Sequence, residues 1–140
     1  MAIFNKDMGK LARDNDFFQR EVYLDKNIQV VMMSIPPGED IGMESHRADQ
    51  TTFFVEGEGQ AVVDGAKAKV TPGHMIVIPQ GAEHNIVNKG TGELKLFSVY
   101  APPAEPAGVA HRTKADAEAA EEGFISRVAK KAKAAIGKGD

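Results

Sequence analysis

The chain has 140 residues, of which 42% are hydrophobic and 26% are charged, and these values predict one folded domain with a tail and exclude a disordered chain. The formal net charge is −3 and the isoelectric point is near 5.8, so the basic stripe of a nucleic-acid binder is missing and a nucleic-acid partner is not expected. The absence of cysteine excludes disulfides, thiolate zinc sites and cysteine nucleophiles, so any metal must be held by histidine and oxygen ligands.

The first residues, MAIFNKDMGKLARDND, carry charges every few positions and contain no apolar signal region. No stretch approaches the roughly 18 apolar residues of a membrane span, so we expect a cytoplasmic protein with no membrane partner. Within this start, residues 5 to 14 predict one or two helical turns with Met8, Leu11 and Ala12 on one side.

From Phe17 to Tyr100, short apolar or alternating runs are separated by Gly, Pro, Asn and Asp, which is typical of an antiparallel sandwich or barrel. Asp64-Gly65 has the composition of a two-residue hairpin turn. No long helix interrupts the region, so a parallel sheet is disfavoured. The predicted strands are 18–24, 28–35, 41–46, 50–56, 59–64, 66–71, 75–79, 83–88 and 93–100.

After a proline-rich connector at 101–108, the composition changes to Ala, Lys and Glu, and Thr113 with Asp116 resembles a helix N-cap. We therefore divide the chain into a barrel domain with its N-terminal lead, 1–112, and a charged helical tail, 113–140. The tail would carry one thin apolar stripe at fourfold spacing, formed by Phe124, Val128, Ala132 and Ile136. We expect it to pack on its own barrel or on a partner subunit, and a membrane-surface helix is the alternative.

Only four histidines are present, so each is informative. Glu44 and His46 are two residues apart in a predicted strand, so their side chains lie on the same face. A turn after His46 could place the side chain of Gln50 on that face as well. His84 follows the tight turn at Pro79-Gln80-Gly81. By contrast, His74 is expected to point to solvent, and His111 lies past the barrel, where the connector could fold it over the mouth as a lid.

These stretches resemble the two motifs of the cupin superfamily, small barrels of jelly-roll type, over roughly residues 28 to 100. The second motif is complete as Pro79, Gly81, His84 and Asn88. The first motif begins at Gly38 or Gly42 and ends at Gly57, and His46 matches its second histidine. At the other two positions, Glu44 replaces the first histidine and Gln50 replaces the glutamate. The resemblance implies an all-β, jelly-roll barrel of antiparallel strands, flanked here by a short N-terminal helix and a C-terminal helical tail.

The same resemblance implies a metal held by Glu44, His46, Gln50 and His84. Cupins with three histidines and one glutamate supply one anionic ligand to the metal. Here too there would be one anionic ligand, but it would be Glu44, at the position of the first histidine. A mixed nitrogen and oxygen set with open positions suits Fe, Mn, Ni, Co or Zn without selecting among them. Glu44 could instead pair with Arg47 or Lys89, and Gln50 could orient a ligand through hydrogen bonds.

Several apolar side chains are expected to line a pocket above this polar floor. Phe53 and Phe54 alternate, so one should face the interior and the other the outer face or a subunit interface. The pocket candidates that we select are Phe54, Met33, Ile86, Tyr100 and His111.

The predicted function is that of a metal-binding cupin of the small, single-domain kind described as resembling mannose-6-phosphate isomerase. It would bind or act on a small molecule, such as a sugar or sugar-derived carbonyl compound, by isomerase-type or lyase-type chemistry, with Glu44 as ligand or base. The alternatives are an iron-dependent dioxygenase and a sensor module without chemistry. A phosphate group would call for Arg47, Lys67, Lys89 or Arg112 at the mouth. Since exposed sheet edges need covering, a homodimer is expected.

Overall fold

A computed structural model describes residues 2–137 of the chain, with side chains up to residue 133. Within these residues, nine strands form two antiparallel sheets and a helix lies towards each end, as the all-β prediction requires. The strands are β1 (Gln19–Leu24), β2 (Gln29–Ile35), β3 (Asp49–Glu56), β4 (Gly59–Val63), β5 (Ala66–Val70), β6 (Met75–Ile78), β7 (His84–Asn88), β8 (Leu94–Ala101) and β9 (Ala110–His111). The helices are α1 (Met8–Asp14) and α2 (Lys114–Gly137).

One sheet has the order β6-β3-β8-β2-β1-β9 and the other has the order β5-β4-β7. Between them lies the core, to which β3 and β8 contribute alternate residues, as the period of two dictates. Phe54 is buried there, whereas Phe53 stacks on Phe97 on the outer face with ring centroids 4.8 Å apart. The predicted division of this aromatic pair between inner and outer faces is confirmed.

Local sequence explains the main turns and caps. Asp64 and Gly65 have φ of 46° and 82°, the two positive values that a tight hairpin between β4 and β5 requires. The Asp7 side chain caps α1 by accepting a hydrogen bond from the Lys10 amide. At the start of α2, Thr113 Oγ1 accepts from the Asp116 amide at 3.1 Å, so the predicted cap is confirmed.

The predicted strand at 41–46 is wrong, because this segment makes only an isolated bridge between Glu44 and His84. Gly38 and Gly42 have φ of 79° and 96°, and such positive values interrupt a continuous strand. Conversely, a short strand that the sequence did not predict, β9, lies between the connector and α2, where His111 and Ala110 pair with Gln19 and Arg20 in β1.

The tail forms the predicted helix, but its apolar stripe is not packed against the barrel. Lys114 pairs with Asp40 at 2.6 Å and Ala117 packs on the core, which attaches the first turn of α2. Farther along, Phe124 is 60% exposed and Val128 is 50% exposed. Ala132 is also exposed, and the side chain of Ile136 lies outside the described residues. Neither α1 nor α2, within residues 2–137, is long and apolar enough to cross a membrane.

Candidate metal centre

Three potential ligands meet at the open end of the barrel. Glu44, His46 and His84 each offer one ligand atom, and these atoms lie within 4.8 Å of one another. His46 Nε2 is 3.1 Å from Glu44 Oε2. Two ligands on opposite sides of one transition-metal ion lie about 4 Å apart, so this group of three has nearly the dimensions that an ion needs.

His84 is held in one tautomer by its neighbour along the chain. Its Nδ1 lies 3.0 Å from the carbonyl oxygen of Ala82, which can only accept, so Nδ1 carries the proton. Nε2 therefore presents a lone pair. That atom is buried and has no hydrogen-bond partner among the described residues, which suits a nitrogen that can bind a metal ion.

Gln50 supplies a second orphaned acceptor. Its Nε2 donates to Thr52 Oγ1 at 3.1 Å and to Ser98 Oγ at 3.4 Å, which leaves the amide oxygen free. Oε1 is buried without a partner, and the residue is only 3% exposed. Both orphaned atoms in the described part of the chain are thus acceptors on residues that line one cavity. A cation satisfies such a pair, and the residues present fit a divalent metal.

Two carboxylates flank His46. Its Nε2 lies 3.1 Å from Glu44 and 3.7 Å from Oε1 of Glu105. The hydrogen bond to Glu44 raises the pKa of His46, and burial of the ring opposes this effect. Burial raises the pKa of Glu105, with a further contribution from the charge of Glu44. Tyr100 packs edge-on against His46 with centroids 5.5 Å apart, and its burial raises its pKa well above the usual value.

Sequence reasoning missed Glu105, which lies in the proline-rich connector 101–108. The available signal was one acidic residue within an otherwise apolar run, APPAEPAG. Neither cupin motif includes the residue, so the motif comparison offered no reason to select it.

A cavity of about 830 Å³ extends from the metal-ligand group to α2. Of the predicted pocket residues, Met33, Tyr100 and His111 line it, with His111 reaching the mouth from β9. Phe54 and Ile86 do not line it, because both side chains pack deeper in the core and are 2% and 1% exposed. His74 is exposed, in agreement with its predicted solvent position.

Acidic groups dominate the cavity wall. Four glutamates line it, namely Glu44, Glu105, Glu118 and Glu121. The lysine and arginine side chains on the same wall are Lys114, already paired with Asp40, and Arg127. None of the four cations considered as phosphate partners lines the cavity: Arg47, Lys67, Lys89 and Arg112.

Comparison with known proteins identifies the family of this chain. A family model described as a cupin domain matches residues 31–100. The chain is 39% identical over 127 residues to YrkC of Bacillus subtilis, with coverage of 85% of this chain and 68% of the relative. It is 35% identical over 100 residues to L612 of Acanthamoeba polyphaga mimivirus, with coverage of 67% and 62%. Both relatives are described as uncharacterized.

Solved structures show the same fold. BH2720 from Bacillus halodurans is 37% identical, with a TM-score of 0.82 and coverage of 84% of this chain and 95% of that one. TT1209 from Thermus thermophilus is 26% identical, with a TM-score of 0.63 and coverage of 71% and 98%. A cupin described as RmlC-like, from Shewanella frigidimarina, is 22% identical, with a TM-score of 0.56 and coverage of 61% and 75%, and supports the fold alone.

Proposed function

Because the chain belongs to the cupin superfamily, we propose that it is a metal-binding cupin that binds or transforms a small molecule in the cavity above Glu44, His46 and His84. The family fixes the barrel, whereas the function depends on the residues at its mouth.

The observation that carries the proposal is the pair of buried, unpartnered acceptors beside two further ligands. His84 Nε2 and Gln50 Oε1 lack hydrogen-bond partners in the described part of the chain. Glu44 and His46 form one group of potential ligands with His84, and Gln50 lines the same cavity. A buried acceptor without a partner costs about 1–3 kcal/mol, and a bound cation removes that cost. The proposed ligands are Glu44, His46, Gln50 and His84, and the proposed metal is one of Fe, Mn, Ni, Co or Zn.

The charges of the cavity favour a neutral compound rich in oxygen. The four carboxylates on the wall outnumber its two cationic side chains, Lys114 and Arg127, and Lys114 is already paired with Asp40, so the wall repels a phosphate group. We therefore favour an uncharged sugar or sugar-derived carbonyl compound over a sugar phosphate. The resemblance to mannose-6-phosphate isomerase then concerns the barrel and not the substrate.

A divalent metal bound here would polarise a carbonyl or hydroxyl oxygen of such a compound. Glu44 is the proposed proton acceptor, because it lines the cavity and its side chain is 35% exposed. Tyr100 and Met33 give the rest of the floor a mixed polar and apolar character. This combination suits isomerase-type or lyase-type chemistry.

Ligand titrations would test this function. Metal-free and metal-loaded protein would be titrated with neutral aldoses and ketoses and with their phosphate esters, and binding followed by calorimetry and by NMR. We expect neutral sugars to bind only the metal-loaded protein, and His84→Ala to abolish binding while His74→Ala retains it. Equal binding with and without metal, or a preference for phosphate esters, would contradict the proposal.

Turnover and metal identity separate the remaining alternatives. Isomerisation or elimination of a bound sugar, followed by NMR, supports an enzyme, and metal-dependent binding without turnover supports a sensor module. Iron as the resident metal together with oxygen consumption would favour the dioxygenase alternative.

We also propose a homodimer formed through the outer face of the larger sheet, near its edge strand β6. Met75 and Val77 are 54% and 60% exposed on this strand. Across the sheet, Met75 is followed by Phe53 and Phe97, and Val77 is followed by Thr51 and Val99. None of these six residues is charged. An uncharged apolar face can pair with a second copy about a two-fold axis without burying unpaired charges.

Light scattering on wild-type protein and on Val77→Lys would test the dimer. We expect a dimer for the wild type and a monomer for the variant, and a monomeric wild type would contradict the proposal. The division of the chain after residue 112 and the cytoplasmic location remain predictions.

A further inference from the structure

Glu105 has an unusual environment for a carboxylate in a loop. Its side chain is only 14% exposed, and its Oε1 lies 3.7 Å from Nε2 of His46. Within the described residues, no lysine or arginine forms an ion pair with it. Burial of a carboxylate without a lysine or arginine partner is unfavourable, so the position calls for a physical reason.

The loop that carries Glu105 is held by a buried amide. Gln29 on β2 is fully buried, and its Oε1 accepts hydrogen bonds from the backbone amides of Ala104 at 3.1 Å and Glu105 at 2.9 Å. Its Nε2 donates to the carbonyl oxygen of Glu105 at 3.2 Å and to Glu21 Oε2 at 2.8 Å. The side chain of Gln29 thus holds both the amide and the carbonyl of Glu105, so a residue of the barrel fixes the backbone that carries this carboxylate.

Two carboxylates therefore converge on one imidazole. Glu44 Oε2 and Glu105 Oε1 lie 3.1 and 3.7 Å from the same nitrogen of His46. Glu105 does not belong to the group of three whose ligand atoms lie within 4.8 Å of one another, and it contacts this group through His46. The two negative charges repel each other in a partly buried site, and a divalent cation bound nearby would balance both charges.

We propose that Glu105 is the second carboxylate of the metal centre, positioned by Gln29, and that its charge stabilises a divalent cation bound by Glu44, His46 and His84. This inference rests on the proposed function, because it requires that the centre binds a divalent cation. It raises the anion count of the site from one to two. The alternative is that Glu105 serves only as a structural partner of protonated His46.

Cobalt titrations distinguish these roles without any substrate. Metal-free wild type, Glu105→Gln and Glu105→Asp would be titrated with Co²⁺ by calorimetry, and the visible absorption of the bound ion would report its coordination. Removal of a group that supports a metal ion weakens binding by about 10–100-fold, and we expect this loss for Glu105→Gln. Glu105→Asp keeps the charge but shortens the reach, so its affinity should lie between those of the wild type and Glu105→Gln.

Glu118→Gln is the matched control, because it removes a carboxylate from an exposed position on the same cavity wall. Its affinity for Co²⁺ should stay within about twofold of the wild type, as for a solvent-screened charge. An equally small change in Glu105→Gln would overturn the inference. If the wild type binds Co²⁺ and Glu105→Gln binds it equally well, only this inference fails. If the wild type binds no divalent metal, the proposed function fails as well.

The role of Gln29 needs a double-mutant cycle. Gln29→Leu should weaken Co²⁺ binding when Glu105 is present and should have little further effect in Glu105→Gln, because both changes then act through one carboxylate. Additive losses would refute the positioning role. Gln29→Asn, a shorter amide, replaces the leucine variant if circular dichroism shows that the latter does not fold.

Discussion

The backbones of Glu44 and His84 are hydrogen-bonded to each other in both directions. The Glu44 amide donates to the His84 carbonyl oxygen at 2.8 Å, and the His84 amide donates to the Glu44 carbonyl oxygen at 2.9 Å. This isolated bridge joins the segment that follows Gly42 to β7. It brings residues from the two separate sequence motifs into one group, and it does so without the strand that was predicted at 41–46.

Replacement of Glu44 should lower the pKa of His46. In the metal-free protein, the hydrogen bond to Glu44 is the largest cause that raises this pKa above its ordinary value, and Glu105 contributes less. NMR titration of the His46 ring should therefore give a clear decrease for Glu44→Gln and a smaller one for Glu105→Gln. An unchanged pKa in Glu44→Gln would show that the pair is not formed in solution.

The same raised pKa sets the sign of a stability change. The protonated ring is favoured in the folded protein, so its contribution to the free energy of unfolding is complete below the unfolded pKa of about 6.5. It is lost as the pH rises through the folded value. Urea unfolding of metal-free protein should show this loss in the wild type and a weaker one in Glu44→Gln.

Gln50→Glu should tighten metal binding. The variant replaces an unpartnered amide oxygen by a carboxylate oxygen of nearly the same shape, and an anionic ligand binds a divalent cation more strongly than a neutral one. We expect the Kd for Co²⁺ to fall by about tenfold, equivalent to about 1.4 kcal/mol. Gln60→Glu adds the same charge on β4, on a side chain that alternates with buried Gly59 and Ala61, and should leave the Kd unchanged.

Gly57→Ala should destabilise the fold more than Gly73→Ala. Both glycines have φ near 90°, so both variants incur a backbone cost of about 1–3 kcal/mol. At Gly57 an added Cβ would also lie 2.5 Å from the carbonyl oxygen of Glu93, whereas at Gly73 it would meet nothing within 4 Å. Urea unfolding would measure the difference, and equal losses would argue against the close approach of these two segments.

Leu96→Ala should cost about 2–5 kcal/mol of the free energy of unfolding, as large-to-small changes in a packed core do. Leu96 is fully buried on β8. Val77→Ala on the exposed edge strand is the control, and it should cost less than about 1 kcal/mol in dilute, monomeric protein. A small loss for Leu96→Ala would mean that the space between the two sheets is not the core.

Periodicity was sufficient to predict most of the fold. The alternation of β3 and the paired positive φ values at Asp64 and Gly65 follow from local rules that a sequence displays directly. The segment at 41–46 has strand-like composition, and only the positive φ of Gly42 and the bridge to His84 distinguish it from a strand. Such a difference depends on partners that are distant in the sequence.

The site was predictable only where a motif marked it. Glu44, His46, Gln50 and His84 all came from two motifs that the sequence displays, and all four line one cavity. Glu105 was missed because its position depends on hydrogen bonds to Gln29, 76 residues away. A contact of that kind leaves no local pattern in the connector.

Elemental analysis of purified protein, before and after incubation with Fe, Mn, Co, Ni and Zn, measures whether this cavity holds a divalent metal. We expect about one divalent ion per chain in the wild type and in His74→Ala, and loss of that ion in His46→Ala and His84→Ala. A wild type that contains no metal and takes up none, or histidine variants that retain it, would rule out a metal centre at Glu44, His46 and His84.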